Sequence, residues 1–265
     1  MSISFCSFSS GSSGNCYLIS SEKVKLILDV GIPGRDIFNR LDSCGIKPEE
    51  VTGIFITHEH TDHSKSIKMI SKATEAKVYG TAGTLDSLKD KVASEMVVLP
   101  QERGSVEIED IRVETFPLSH DAVEPSGFSF VQGDVRITVL TDTGKVTREQ
   151  RRFLLDSDIV ALESNHEVNL LSYSRYPFSL KQRILSEEGH LSNEAAADCI
   201  ADILANRTKK TMPLFALSHI SKESNNPDLA LITVKSLLAE KGYHHKKDYL
   251  MTVFHRDKMS EIFKY

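Results

Sequence analysis

The run His58-Glu59-His60-Thr61-Asp62-His63 places three imidazoles and a carboxylate donor within six residues. That density is metal-ligand chemistry, because neutral imidazole is the commonest protein ligand for zinc and also suits iron or manganese, while an aspartate adds a hard anionic oxygen. Three more residues of ligand type stand where apolar runs end. His120 closes Val-Glu-Thr-Phe-Pro-Leu-Ser, Asp142 follows Ile-Thr-Val-Leu-Thr, and His219 follows Leu-Phe-Ala-Leu-Ser. Strand ends are rigid mounts, and side chains carried on them meet in a cleft without the ordering of long loops.

The elements that must do this positioning alternate along the chain. Short apolar runs closed by polar residues or glycine predict strands over 17–20, 25–30, 53–57, 77–79, 112–117, 127–131, 136–140, 159–163, 214–217 and 249–254. Amphipathic spacing and stop signals predict helices over 34–44, 64–72, 81–92, 147–155, 178–188, 192–206 and 228–240. Thr147 and Gln150 have the spacing of a capping box. The pattern is that of sheets with helices outside them. With no repeat and no low-complexity linker, residues 1–265 are expected to form one domain.

Composition narrows the class. The 265 residues are 40% apolar and 26% charged, an ordinary globular balance that excludes a disordered tail protein. No apolar run approaches the roughly 18 residues needed to cross a bilayer, and the first residues lack the pattern of an export signal, so a soluble protein without membrane contact is expected. Cys6, Cys16, Cys44 and Cys199 are unpaired in spacing, which suits thiols in the cytoplasm. A net charge of −5 gives no global attraction to nucleic acid, so a polyanionic substrate has to be held by local basic groups or by metal.

On the loop His58–His63 and on the order Asp29, signature loop, His120, Asp142 and His219, the chain resembles the metallo-β-lactamase superfamily, whose signature is H-x-H-x-D-H. The resemblance implies an α/β fold, a four-layer αβ/βα sandwich. It further implies two divalent metal ions, zinc, manganese or iron: His58, His60 and His120 on one, Asp62, His63 and His219 on the other, Asp142 bridging, and Asp29 orienting the loop from behind. Two such ions can share a hydroxide at neutral pH and polarise the oxygen of a substrate under attack, which is hydrolase chemistry with Asp62 orienting the nucleophile.

Further segments point to a substrate. Ser10-Gly-Ser-Ser-Gly-Asn15-Cys16, Glu163-Ser-Asn-His166, Gly189-His190-Leu-Ser192-Asn193 and Leu217-Ser-His-Ile-Ser221 together resemble the bacterial WalJ/YycJ family of metal-dependent DNA exonucleases. This implies a DNA phosphodiesterase working from 5′ ends, with a link to DNA repair. His190 is then the catalytic proton donor to the leaving oxygen. Ser12, Ser13, Asn15, Asn165, His166 and Ser192 are candidate phosphate-binding residues. Each has a plainer reading: a tight corner for the Ser-Gly loop, an ordinary helix cap for Ser192, a structural histidine for His166 or His190. Arg175, Lys181 and Arg183, and Arg207, Lys209 and Lys210, either follow a DNA backbone or face solvent; Tyr173 and Tyr176 either stack on unpaired bases or pack in the core.

Only 77 positions separate Asp142 from His219 and 46 follow His219, too few for the cap domain of the β-CASP nucleases or the helical domain of glyoxalase II. Two rival readings keep the same fold: a small-molecule hydrolase of thioesters, lactones or cyclic phosphodiesters, and a metal-stabilised regulatory partner. The resemblance leaves protein partners and oligomeric state open.

Overall fold

The computed structural model describes residues 2–265. In chain order the strands are β1 (Ser4–Ser9), β2 (Cys16–Ser20), β3 (Lys25–Leu28), β4 (Gly53–Phe55), β5 (Lys77–Gly80), β6 (Met96–Val98), β7 (Ser105–Ile108), β8 (Ile111–Pro117), β9 (Ser126–Gln132), β10 (Val135–Leu140), β11 (Ile159–Glu163), β12 (Leu214–Ser218), β13 (Leu250–Val253) and β14 (Phe263–Lys264). The helices are α1 (Gly34–Ser43), α2 (Thr61–Ser64), α3 (Ile67–Thr74), α4 (Ala82–Leu88), α5 (Arg148–Leu154), α6 (Val168–Tyr173), α7 (Phe178–Ile184), α8 (Asn193–Asn206) and α9 (Pro227–Glu240). No helix among the described residues is long and apolar enough to cross a membrane.

The chain divides into two compact units, the first made of residues 1–117, 122–135 and 256–265, the second of 118–121 and 136–255. In the first, seven strands run in the order β14-β1-β2-β3-β4-β5-β6, and β7, β8 and β9 form an antiparallel ribbon. The first three pairings of the large sheet are antiparallel; from β3 to β6 they are parallel. One face is filled by Phe8, Leu18, Ile27, Ile54 and Val78 from the strands and by Ile37, Leu41, Ile67 and Ile70 from α1 and α3.

In the second unit β10, β11, β12 and β13 are parallel neighbours. Register pairs Leu140 with Leu162 and Glu163 with Ser218, so the carboxyl ends of these strands are level. Every residue of β11 and β12 is buried, which is why both read as unbroken apolar runs.

Four strands and one helix of the described residues depart from the expected pattern. β1 is missing from the sequence reading because Ser7 and Ser9 are fully buried small polar residues that break the apolar alternation. β6, β7 and β14 are short strands at sheet edges, with little apolar burial to mark them. α6 buries only Leu171. Other boundaries shift: the helix expected at 64–72 is two pieces, α2 and α3, and that expected at 178–188 stops at Ile184, where Leu185 leaves the helix and His190 N–H returns to the Ile184 carbonyl at 3.0 Å. The Thr147–Gln150 capping box is formed, Thr147 Oγ1 accepting from Gln150 N–H and the Gln150 side chain from Thr147 N–H.

Candidate active site

In the first unit, Asp29 follows β3 and Thr57-His58 follows β4, at the carboxyl ends of parallel neighbours where α/β sheets present ligand-binding residues. The signature loop is held by main-chain bonds: Asn15 N–H donates to the Asp62 carbonyl (2.8 Å), Val30 N–H to the His63 carbonyl (2.8 Å), and Ser66 N–H to the Val30 carbonyl (3.0 Å). Gly31 permits this approach. A Cβ there would lie 1.6 Å from the Asp62 carbonyl oxygen, so no other residue fits without moving the loop.

Side chains orient the rings. Asp29, fully buried, accepts from His63 Nδ1 at 2.7 Å and from Thr57 N–H at 2.9 Å. Thr57 Oγ1 donates to Asp29 and accepts from His58 Nδ1 at 3.0 Å. Burial pushes the Asp29 carboxyl above the usual carboxylate range, while His63 and Thr57 pull it back. With Nδ1 engaged on His58 and His63, the lone pair of each ring lies on Nε2, the form that binds metal. His58 Nε2 stands 3.1 Å from His60 Nδ1, close to the ~3.3 Å that two nitrogens adopt on one tetrahedral ion with bonds of about 2.0–2.1 Å. Asp62 Oδ2 lies 3.6 Å from His63 Nε2.

In the second unit the same device recurs. His120 Nδ1 donates to the Glu188 carbonyl at 3.1 Å, and His219 Nδ1 to Glu163 Oε1 at 2.8 Å. The Nε2 atoms of these rings stand 3.9 and 3.5 Å from Asp142 Oδ1, beyond good hydrogen bonds and in the range of a ring nitrogen and a carboxylate oxygen that share a cation. Burial lowers the His120 pKa and so favours the neutral ring that a metal needs. The donors present are therefore of the kind that holds a divalent metal. Asp29, Asp142 and His219 also share left-handed backbone, with φ of 58°, 58° and 54°. Such conformations cost about 1–3 kcal/mol each and concentrate at functional positions.

Glu163 stands in the run Glu163-Ser-Asn-His166, where sequence alone assigned it no individual role. It is fully buried at the end of β11, its Oε1 accepts from both His190 Nδ1 and His219 Nδ1 at 2.8 Å, and its Oε2 accepts from Thr143 N–H (3.0 Å) and Leu191 N–H (3.2 Å). Complete burial works against its ionisation, but the charges of His190 and His219 and their hydrogen bonds outweigh that and hold it down at about 2. The signal was present: Ile-Val-Ala-Leu-Glu ends an apolar strand in an acid, just as the run before Asp142 does. Asp142, Glu163, His190 and His219 each bring a donor atom within 4.8 Å of the others. A polar cavity of about 430 Å³ adjoins His120, lined by Leu118, Ser119, Lys145, Ser186, Glu187 and Glu188, with Lys145 and Glu187 ion-paired.

The residues expected to bind phosphate are placed unequally. Ser12 and Ser13 are exposed on the turn joining antiparallel β1 and β2, so the Ser-Gly run is a hairpin corner. The Asn15 side chain is buried, accepting from Gly11 N–H and donating to His63 Nε2, both at 3.0 Å. Asn165 Nδ2 donates to the His219 carbonyl at 2.9 Å. His166 is buried, its pKa lowered to about 4 by burial; among the described residues its Nδ1 has no hydrogen-bond partner. Ser192 caps α8, its Oγ accepting from Ala195 N–H. Arg207 donates to the carbonyls of Ser157, Lys209 and Thr211, and Lys209 pairs with Asp158, so these cations fasten a loop. Cys16 and Cys199 are buried thiols, the second pushed up to about 12 by burial, which leaves both protonated in the core.

Residues 33–211 match the family model of the β-lactamase superfamily domain. The chain belongs to that superfamily, and it is a metal-dependent hydrolase with the α/β sandwich of the metallo-β-lactamase fold. Its relatives include exodeoxyribonuclease YycJ of Bacillus anthracis, 32% identical with 92% of each chain covered, and exodeoxyribonuclease WalJ of Streptococcus pneumoniae (strain D39), 36% identical with 87% of this chain and 86% of the other covered. The metallo-β-lactamase-fold protein YhfI of Bacillus subtilis superimposes over 100% of both chains with a TM-score of 0.75 at 12% identity, a likeness of fold.

Proposed function

We propose that residues 1–265 form a single cytoplasmic domain that acts as a DNA exonuclease, removing nucleotides from 5′ ends, with a role in DNA repair. The ligands in this reading are His58, His60 and His120 for one divalent ion and Asp62, His63 and His219 for a second, with Asp142 shared; zinc, manganese and iron all suit these donors. When bound, such ions supply a water that is nucleophilic near neutral pH and neutralise charge on a phosphate. The substrate class is supported by the nuclease relatives, which this chain matches over nearly its whole length.

The observation that carries the mechanism is the Glu163–His190 pair. Glu163 fixes His190 with its Nδ1–H committed, so Nε2 faces away from the carboxylate and is the atom at which a proton is held and passed. A phosphodiester needs that proton on the departing sugar oxygen. Asp62, half-buried beside His63, orients the attacking water.

His190→Ala is expected to retain metal and to slow DNA hydrolysis by about 10²–10⁴-fold. The loss should shrink to less than about 10-fold on a thymidine p-nitrophenyl phosphodiester, whose leaving group departs without protonation. Steady-state kinetics on both substrates decide it: an equal loss on both would remove His190 from the proton-donor role.

A further inference from the structure

Between Glu163-Ser-Asn-His166 and His190 the second unit carries α6 and α7, joined by the short turn 174–177. Residues 168–185 include Arg175, Lys181 and Arg183 and no acid at all, in a chain whose net charge is −5. Each helix is seated by one apolar side chain, Leu171 in α6 and Ile184 in α7. The arrangement is fixed from both sides. Lys181 Nζ donates to the Ser172 carbonyl at 2.7 Å, Arg183 pairs with Asp121, and Glu167 caps α6 by accepting from Leu170 N–H at 2.8 Å.

On this anchored segment two rings face solvent. Tyr173 is 89% exposed and Phe178 75%, the highest values among the large apolar side chains described. The core reading of Tyr173 is therefore overturned, while Tyr176 is half-buried. Arg175 lies between the two rings in sequence, is exposed, and has no ion pair or hydrogen bond among the described residues.

Exposed aromatic faces alternating with cations match one kind of ligand closely. Unpaired nucleotides present a π-face and a phosphate at each step, and proteins that hold single strands combine stacking rings with positive charge in this way. A duplex offers the phosphates but keeps its base faces stacked. We propose that α6 and α7 form a platform for single-stranded DNA, with Tyr173 and Phe178 stacking on unpaired bases beside the terminus to be cut and Arg175 meeting the phosphate between them. This rests on the nuclease reading above and adds a preference to it, for ends that carry unpaired nucleotides.

The test uses the full-length protein and two measurements. Fluorescence anisotropy with a labelled phosphorothioate thymidine oligomer, which resists cleavage, gives Kd; digestion of duplex DNA with an unpaired end gives KM. Tyr173→Ala and Phe178→Ala are each expected to raise both constants by roughly 5- to 150-fold, the factor corresponding to one stacked base. Tyr173→Phe should match the parent and Tyr173→Leu should be as weak as alanine. Melting temperatures should not change, since neither ring is buried. Alanine variants that bind and digest like the parent would overturn the platform while leaving the nuclease intact. A leucine variant that restores binding in full would overturn stacking in favour of an apolar contact with another protein. A parent protein that neither binds the oligomer nor digests DNA would remove the nuclease reading and the platform together.

Discussion

Asp142→Ala is expected to release metal and reduce hydrolysis to the level of the metal-free protein. Asp142 is buried at the carboxyl end of β10 in left-handed backbone, and its Oδ1 faces the Nε2 atoms of both His120 and His219. Removing the carboxylate leaves these two rings with no shared anion to balance a bound cation. Metal content measured by mass spectrometry should fall below that of the parent, with turnover lost alongside. Full metal content and parent turnover in the variant would contradict the ligand assignment.

The second large effect belongs to Glu163→Ala. The wild-type carboxylate accepts four hydrogen bonds in a fully buried position, two from histidine rings and two from main-chain amides. Alanine leaves all four donors without their partner. Each buried unsatisfied donor costs about 1–3 kcal/mol, so a loss of at least about 3 kcal/mol in stability is expected even with water entering the space. Activity should fall below that of His190→Ala measured on the same substrate, because His219 and His190 lose their orientation together. Glu163→Gln keeps one acceptor oxygen and should fall between the parent and alanine in melting temperature. An alanine variant that melts and turns over like the parent would show that Glu163 merely fills space.

These expectations rest on residues that differ in how plainly the sequence displays them. The signature loop and the strand-end residues Asp29, Asp142 and His219 were legible because buried parallel strands read as unbroken apolar runs, and the polar residue that ends each run marks the sheet's carboxyl edge. Glu163 obeys the same rule, but its role as a shared acceptor for two histidines depends on the level register of β10, β11 and β12, which no local pattern records. β1 was hidden for the opposite reason: two of its buried positions are serines, and Ser9 is accommodated by contacts distant in sequence, its Oγ bonding to the Gly14 and Arg256 carbonyls. The exposure of Tyr173 and Phe178 follows from tertiary anchoring through Leu171 and Ile184, which the composition of the segment does not reveal.

The proposed degradation of DNA from its 5′ ends has a direct readout. It is tested most directly by following linear DNA labelled at either the 5′ or the 3′ end through a time course with protein reconstituted with Mn²⁺ or Zn²⁺, beside Asp142→Ala. Immediate release of the 5′ label as mononucleotide, stepwise shortening of the 3′-labelled strand and no change with the variant are expected. Intact DNA at full metal occupancy, or cleavage that persists undiminished in Asp142→Ala, would contradict it.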